Sequence, residues 1–283
     1  MKPTLKYSEM YITNVCNYSC THCQSFNNYA FKGHQRWDDY KDEYELLSKK
    51  LDIGIIQLMG GEPTLNPDFN KWLKGISNLW PTAKLQISTN GSTLNKLTQD
   101  VYDVLSKNNG TLWITCHDIK LYDGFLNFIN TFLDVIVSDT GEAPARRVSR
   151  IFIDKNGVEV ILDWSQTFRA SAMDLVNKQL TLGYDSDVDE AHDVCGFKTC
   201  HQLNKGKLYK CPLVSVLPDF LNQFNVAVAD KELAHAYQPM SHDDDVEKFV
   251  NNLVNPIPQC KFCPSNYNIG HDFIGTDKKV KQT

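Results

Sequence analysis

Three cysteines stand within eight positions near the start of the chain. Cys16, Cys20 and Cys23 lie in CNYSCTHC, at spacings of x3 and x2, directly after an apolar run that predicts a strand. Thiolates at such short spacings are typical of metal or redox sites rather than of a disulfide framework. A structural zinc site needs four ligands, and an iron–sulfur cluster usually takes four cysteines. Three thiolates therefore leave one metal position open for a ligand, or bind zinc with His22 as the fourth ligand.

Further residues that can bind a ligand follow each of the next three predicted strands. They are Gly60, Gly61 and Glu62 in GGEP, Ser88 and Asn90 in STNG, and Cys116, His117 and Asp118 in TCHD. A glycine pair lets a backbone approach a ligand closely, and a carboxylate accepts hydrogen bonds from an ammonium group. Each motif also has a structural interpretation, namely an ordinary turn before a helix and, for Cys116, a small buried side chain.

The elements that must position these residues alternate between strand and helix over the first 165 residues. The predicted strands are Glu9–Thr13, Gly54–Met59, Lys84–Thr89, Thr111–His117, Asp134–Ser138, Ser149–Asp154 and Val158–Asp163. Helical spacing of apolar residues separates the first ones, as in NPDFNKWLKGISNLW, where Asn66 is the predicted cap. This alternation predicts an α/β fold with a parallel sheet, whose chemistry lies at the carboxyl ends of the strands. All the candidate residues then share one edge of the sheet.

The three motifs together resemble the radical S-adenosylmethionine (SAM) enzymes. C-x3-C-x2-C after the first strand, GGEP after the second and STNG at the third carry the resemblance, which spans most of residues 9–165. It implies a partial (β/α)6 TIM-like barrel in which the three cysteines hold a [4Fe–4S] cluster. SAM would bind the open iron through its amino and carboxylate groups, and one electron would cleave it to methionine and a 5′-deoxyadenosyl radical.

The resemblance also implies roles for the other residues at this edge. Gly60, Gly61 and Glu62 would accept from the SAM ammonium group, and His22 would contact its adenine. Ser88 and Asn90 would bond the ribose hydroxyls or the carboxylate of SAM. Cys116 would donate a hydrogen atom to a substrate radical, or His117 or Asp118 would take a proton.

Five cysteines after residue 190 predict a second site. They are Cys195, Cys200, Cys211, Cys260 and Cys263. Four thiolates in two separated pairs suit a fully ligated [4Fe–4S] cluster or a four-cysteine zinc site. The pattern resembles the SPASM and twitch auxiliary-cluster domains of radical SAM enzymes, and one auxiliary cluster is expected. Cys195 or Cys200 can complete the set, and the gap to Gly206 favours Cys195.

Two domains are expected, a barrel over residues 1–183 and a smaller auxiliary-cluster domain over residues 184–283. In the second, YDSDVDEAHD (184–193) is predicted to be an acidic linker, NKGKLYKCP a hairpin and DDDVEKFVNNLV a capped helix. The tail over 275–283 is predicted to be frayed.

Composition excludes several other classes of protein. The formal net charge is −5 with 22% charged residues, which does not predict a nucleic-acid-binding surface. No apolar run is long enough for a membrane span, and the N-terminus lacks a signal-peptide core, so a cytoplasmic location is expected. Arg146, Arg147 and Arg150 in ARRVSR predict either a site for an anionic group or a solvated face.

An enzyme that oxidises or epimerises a small polar metabolite, such as a sugar, cyclitol or nucleotide, is the favoured function. A first strand near residue 9 leaves no room for the N-terminal leader-binding domain of peptide-modifying relatives, although a maturase of ribosomal peptides remains the alternative. The radical chemistry implies a flavodoxin or ferredoxin as reductant. A non-catalytic zinc or iron–sulfur scaffold is the alternative from another class. The sequence predicts no oligomeric state.

Overall fold

The computed structural model describes residues 2–20, 22–133, 135–139, 147–165, 167–169, 172–176, 179–266 and 269–272. The strands there are β1 (Thr4–Tyr11), β2 (Asp52–Met59), β3 (Lys84–Thr89), β4 (Thr111–Cys116), β5 (Val135–Asp139), β6 (Arg147–Asp154), β7 (Glu159–Ser165), β8 (Thr167–Arg169), β9 (Met173–Val176), β10 (Gln179–Leu182), β11 (His201–Asn204), β12 (Lys207–Tyr209), β13 (Val226–Ala227) and β14 (Ile269–Asp272). The α-helices are α1 (Trp37–Ser48), α2 (Phe69–Leu79), α3 (Gln99–Lys107), α4 (Tyr122–Phe132), α5 (Val188–Asp193), α6 (Pro212–Gln223), α7 (Lys231–His235) and α8 (Val246–Asn252).

Nine strands form one open sheet in the order β12-β11-β1-β2-β3-β4-β7-β6-β5. Every pairing from β11 to β7 is parallel, and antiparallel pairs occur only towards the two edges of this sheet. The predicted α/β class with a mostly parallel sheet is therefore confirmed. A regular six-fold repeat would place β5 beside β4, whereas here β7 occupies that place and β5 lies at the far edge.

The two faces of the sheet are packed differently. Met10 and Ile12 of the first strand segment belong to the core between the sheet and its helices, in which Trp72 of α2 is fully buried. Tyr11 points to the opposite, inner face and packs in a second apolar cluster with Phe26, which follows the cysteine loop. Since side chains alternate along a strand, odd-numbered residues from Tyr7 to Tyr11 share this inner face.

The start of α2 is tied directly to the end of β1. The helix begins at Phe69 with Asp68 at its N-cap, so the predicted cap at Asn66 is wrong by two positions. The Asn66 side chain instead donates to the carbonyl oxygens of Ile12, at 2.6 Å, and Gln35, at 2.9 Å. This amide holds the chain on either side of the cysteine loop in a fixed position.

Three predictions for residues beyond 183 can be compared with the structure. The hairpin is confirmed as β11–β12, and the capped helix as α8, where the Asp245 side chain accepts from the Lys248 backbone. The acidic linker is wrong in part, because residues 188–193 form α5, capped by the Asp187 carboxylate on two backbone N–H groups. The β11–β12 hairpin joins the main sheet beside β1, so residues 201–209 extend the barrel sheet itself. The division into two domains at 183/184 stays a prediction.

Some predictions concern residues outside the described ranges. Asp134 at the start of the fifth predicted strand, Arg146 and the tail over 275–283 lie there. None of the helices in the described residues has the length and apolar character needed to span a bilayer.

Candidate functional site

A cavity of about 230 Å³ opens at the carboxyl ends of β1 to β4. Nine of the predicted site residues line it, namely Cys16, Cys20, His22, Cys23, Gly60, Gly61, Ser88, Asn90 and His117. Tyr18, Met59 and Thr115 are also among its lining residues. The structure thus brings together the residues that follow four successive parallel strands, as the sequence predicts for this edge of the sheet.

The cysteine loop is held by turns within it and by anchors at both ends. The Cys23 backbone N–H donates to the Cys20 carbonyl at 3.3 Å, and the Phe26 N–H donates to the Cys23 carbonyl at 3.1 Å. The Asn27 side chain donates to the Asn14 carbonyl at 2.6 Å, which closes the loop at its base. The buried ring of Phe26 then fixes the far end in the inner apolar cluster.

The closeness of the three thiols destabilises their negatively charged thiolate forms. Burial raises the pKa of Cys20, and the neighbouring thiolates of Cys23 and Cys16 raise it further. A bound metal cation reverses this balance, because it stabilises the thiolate form of each ligand. Within the described residues, no three cysteine, histidine or acidic side chains converge on a single metal ion. The fit to a cluster with several metals therefore rests on three thiols that line one cavity, of which Cys20 is buried.

The two glycines of GGEP are required by the cysteine loop itself. The Gly61 N–H donates to the Thr13 carbonyl at 2.7 Å, and the Glu62 N–H donates to the Val15 carbonyl at 2.8 Å. A Cβ on Gly61 would lie 2.3 Å from the Val15 carbonyl oxygen, and one on Gly60 would lie 2.5 Å from the Thr13 carbonyl oxygen. The glycine pair thus lets β2 bind the backbone immediately before Cys16.

Glu62 has a positioning role that the sequence did not predict. Its side chain is fully buried, and its carboxylate accepts from Thr64, from the Thr89 hydroxyl at 2.8 Å and from the Asn90 N–H at 2.7 Å. Burial raises the pKa of Glu62, while these hydrogen bonds lower it. The carboxylate ties the end of β2 to the end of β3. Its predicted contact with the SAM ammonium group stays a prediction.

Asn90 and His22 lie beside the thiols. The Asn90 side-chain amide donates to the Asn17 side chain at 3.0 Å and lies 3.7 Å from the Cys16 sulfur. His22 precedes Cys23 with a positive φ of 59°, a conformation that directs the loop around the cavity. Ser88 lines the cavity from the inner face of β3. Their predicted contacts with SAM stay predictions.

The three candidate residues at the end of β4 have different surroundings. His117 lines the cavity, with its ring edge-on to Tyr18, and burial lowers the pKa of His117 to about 4. Cys116 points the other way into the helix-side core and donates its thiol to the Asp118 carbonyl at 3.0 Å. The Asp118 carboxylate caps the following turn by accepting from the Lys120 N–H. Of the three candidates, a neutral His117 imidazole is the one that lines the cavity, and the catalytic roles predicted for Cys116, His117 and Asp118 stay predictions.

Four of the five later cysteines share one environment. Burial raises the pKa of Cys211 to about 12, and the charges of Cys260 and Cys195 add to it. The pKa of Cys263 is raised well above its usual value by burial, then by Cys211, Cys195 and Cys260. Burial raises the pKa of Tyr7 on β1, and the charges of Glu9 and then Cys200 raise it further. Cys195 rather than Cys200 is among the charges that act on Cys211 and Cys263, and the choice between the two as ligand stays a prediction.

Local structure explains how distant cysteines meet. Cys195 follows α5, and the start of that helix is bound to the C-terminal turn by the Ser186 N–H, which donates to the Lys261 carbonyl at 2.9 Å. That turn holds Cys260 and Cys263, joined by a backbone hydrogen bond of 2.9 Å. Cys211 lies at the N-terminus of α6.

A buried lysine faces this second set of thiols. Lys210 is 4% exposed, and its ammonium donates to the Leu253 carbonyl. Burial lowers the pKa of Lys210, whereas the thiolates of Cys211, Cys260 and Cys195 raise it. A buried cation needs a compensating negative charge, and a set of thiolates supplies it. The donor set therefore fits an anionic metal–thiolate centre. Sequence reasoning missed Lys210, for which the available signal was its place beside Cys211.

Glu9 is the main residue that sequence reasoning missed. It lies on the inner face of β1, is 5% exposed and accepts from the Gln202 side-chain amide at 3.0 Å. Burial raises the pKa of Glu9 to about 7, against the opposing effect of hydrogen bonds from Gln202 and Tyr7. The available signal was an acidic residue inside the otherwise apolar run of the first strand.

The free energy of unfolding is expected to decrease as pH rises, because of Glu9. Because its pKa is about 7 in the fold and about 4.5 otherwise, the folded state holds the proton more tightly. That contribution is complete below about pH 4.5 and is lost as pH rises through 7, a difference of about 3 kcal/mol. We expect Glu9→Gln to remove this loss, so that the variant gains stability relative to wild type between pH 5 and pH 8. Denaturant unfolding of both proteins at pH 5 and pH 8 measures this gain in stability. Glu247→Gln on the exposed face of α8 is the control. An equal pH dependence of stability in wild type and Glu9→Gln would contradict the prediction.

Comparison with known proteins gives a partial match over the residues that carry the first cavity. Residues 10–117 match the family model of the Radical SAM superfamily. Similar curated proteins are GTP 3′,8-cyclases. That of Nautilia profundicola is 29% identical over 101 residues, covering 35% of this chain and 32% of the relative. That of Aliarcobacter butzleri is 23% identical over 143 residues, covering 50% and 38%.

The similarity to these relatives is partial. The GTP 3′,8-cyclase of Pseudomonas fluorescens is 31% identical over 99 residues, covering 34% of this chain and 30% of the relative. The chain thus spans about a third of the length of the curated relatives it matches. Among solved structures, BtrN in complex with AdoMet and 2-DOIA gives a TM-score of 0.34 at 24% identity, covering 44% of this chain and 52% of that one. Streptococcus suis SuiB bound to S-adenosylmethionine gives 0.33 at 20% identity, covering 44% and 27%.

Proposed function

We propose that this protein is a radical SAM enzyme that abstracts a hydrogen atom from a small polar metabolite and thereby oxidises or epimerises it. The observation that carries the proposal is the cavity in which Cys16, Cys20 and Cys23 meet the ends of three further parallel strands. When bound, a [4Fe–4S] cluster and SAM supply one-electron cleavage to methionine and a 5′-deoxyadenosyl radical. A low-potential flavodoxin or ferredoxin is the proposed reductant.

Residues of this chain would hold and orient that cofactor. The three thiols would ligate three irons, and the adjoining cavity wall of Gly60, Gly61 and Ser88 would receive the amino-acid part of SAM. His117, neutral at physiological pH, can accept a proton from a group in the cavity. The partial similarity to GTP 3′,8-cyclases supports a nucleotide as one candidate within the proposed substrate class.

Formation of 5′-deoxyadenosine tests this proposal. The anaerobically reconstituted protein receives SAM and a reductant, with pooled sugars, cyclitols and nucleotides in one arm and peptide pools in another. Stimulation by the metabolite pool is the expected result. Stimulation by peptides alone would replace the substrate class, and a protein that holds its iron but cleaves no SAM would overturn the enzyme proposal.

We also propose an auxiliary [4Fe–4S] cluster on Cys195, Cys211, Cys260 and Cys263. The mutual effects of these thiols on their pKa values and the buried Lys210 beside them support it. When bound, such a cluster can take up an electron during oxidation of a substrate. A four-cysteine zinc centre is the alternative that metal analysis distinguishes.

Replacing Cys195 and Cys200 in turn separates the two possible ligand sets. We expect about eight irons per chain in wild type, about four in Cys195→Ala and about eight in Cys200→Ala, since each cubane cluster holds four. Iron and zinc analysis of the anaerobically reconstituted proteins measures this. Loss of iron from Cys200→Ala with retention in Cys195→Ala would reverse the assignment, and zinc in place of the second set of irons would replace the cluster.

A further inference from the structure

A buried polar group lies on the inner face of the sheet, one layer from the cavity. Glu9 of β1 and Gln202 of β11 are direct neighbours in the parallel register, and their side chains are 5% and 0% exposed. The Gln202 amide nitrogen donates to a Glu9 carboxylate oxygen at 3.0 Å. Tyr7, on the same face of β1, is also hydrogen-bonded to Glu9.

This group connects to the cavity through Met59. The Gln202 amide nitrogen lies 3.9 Å from the Met59 sulfur, and Met59 lines the cavity. Methionine is unbranched and flexible at three torsions, so it adapts its shape to a neighbour more readily than other apolar residues. The Gln202 amide is therefore in contact with an adaptable side chain that lines the cavity.

One acceptor of the pair is left without a hydrogen-bond donor. Among the described residues, the Gln202 side-chain carbonyl oxygen is buried and has no partner. A buried acceptor left without a donor costs about 1–3 kcal/mol, so nearly all such groups in native proteins are satisfied by protein, water or ligand. Together with the Glu9 carboxylate, this oxygen forms an acceptor pair suited to a hydroxyl, amino or ammonium group.

We propose that Glu9 and Gln202 form a substrate subsite that accepts hydrogen bonds from a hydroxyl or amino group of the metabolite, with Met59 moving aside to admit it. The proposal rests on the proposed function, because it extends the same cavity, and it specifies the substrate class as a molecule that bears hydrogen-bond donors. A carboxylate at Glu9 forms a stronger, charge-assisted hydrogen bond with an ammonium group than with a hydroxyl group. The pair therefore favours an amino-bearing molecule over one that bears hydroxyl groups alone.

Ligand-observed NMR on the reconstituted full chain with SAM tests the subsite directly. The probes are myo-inositol, glucosamine and GTP, each titrated to give a dissociation constant. We expect at least one probe to bind wild type, and Gln202→Met, which removes the acceptor at similar volume, to weaken that binding about tenfold or more. Gln99→Met on the exposed face of α3 is the matched control and should bind as wild type does.

A second variant keeps the test independent of folding defects. Glu9→Gln preserves the shape and one acceptor oxygen, so it should weaken glucosamine more than myo-inositol. Binding of no probe by wild type, or equal affinities in wild type and Gln202→Met, would overturn the subsite and assign the buried acceptor to a structural water. SAM cleavage by wild type, measured separately, reports on the proposed function, so the failure of one proposal is distinguishable from the failure of the other.

Discussion

Replacing Cys20 with alanine is expected to abolish iron binding at the first site and to lower SAM cleavage more than about a hundredfold. Changing even the outer-shell partners of a metal ligand costs roughly 10–100-fold, and Cys20 would be a ligand itself. Burial raises the pKa of its thiol and the charges of Cys23 and Cys16 raise it further, and its loss leaves two of the three cysteine thiols that line the cavity. Iron content and 5′-deoxyadenosine formation after anaerobic reconstitution measure the effect.

Cys116→Ala is the matched control for this prediction. Cys116 is also buried but lies in the helix-side core, where its thiol donates to the Asp118 carbonyl. Loss of a small buried side chain there should cost about 1 kcal/mol of stability and leave iron content and SAM cleavage near wild type. A Cys20→Ala protein that retains iron and cleaves SAM would contradict the assignment of the first site, whatever the control shows.

The edge of the sheet that carries the site could be predicted because it depends on local signals. Strand periodicity placed Lys84–Thr89 with the bounds that β3 has, and the thiol and glycine motifs follow strands whose ends meet in any parallel sheet. His117 could be assigned to the cavity by alternation only once one residue of β4 was known to face the core. Such inferences need the local pattern and one rule of sheet geometry.

The remainder could not be predicted because it depends on pairings between distant segments. Nothing in the sequence of β7 specifies that it pairs with β4, or that β11 adds to β1 about 190 residues away. The role of Glu62 depends on the end of β3 lying beside it, and the burial of Glu9 depends on Gln202 arriving from β11. Long-range contacts of this kind decide which polar residues are buried, and composition or spacing does not report them.

Replacing Gly61 with alanine is expected to have the second large effect, on stability and on iron binding together. The new Cβ would lie 2.3 Å from the Val15 carbonyl oxygen and 2.9 Å from the Cys16 Cβ, distances that real structures do not contain. Backbone must therefore move, which breaks the hydrogen bonds from Gly61 to Thr13 and from Glu62 to Val15. Overpacking and the loss of buried hydrogen bonds together predict about 3 kcal/mol or more of destabilisation. The cysteine loop moves with Val15, so iron binding should fall as well.

Gly124→Ala distinguishes this steric effect from a general effect of glycine replacement. Gly124 lies inside α4, and an added Cβ there meets no atom within 4 Å, so alanine should stabilise the helix by about 0.5–1 kcal/mol. Denaturant unfolding should show lower stability for Gly61→Ala and slightly higher stability for Gly124→Ala. Iron content after reconstitution should fall in Gly61→Ala and stay at the wild-type value in Gly124→Ala. A Gly61→Ala protein with wild-type stability and iron content would show that the loop before Cys16 does not depend on close contact with β2.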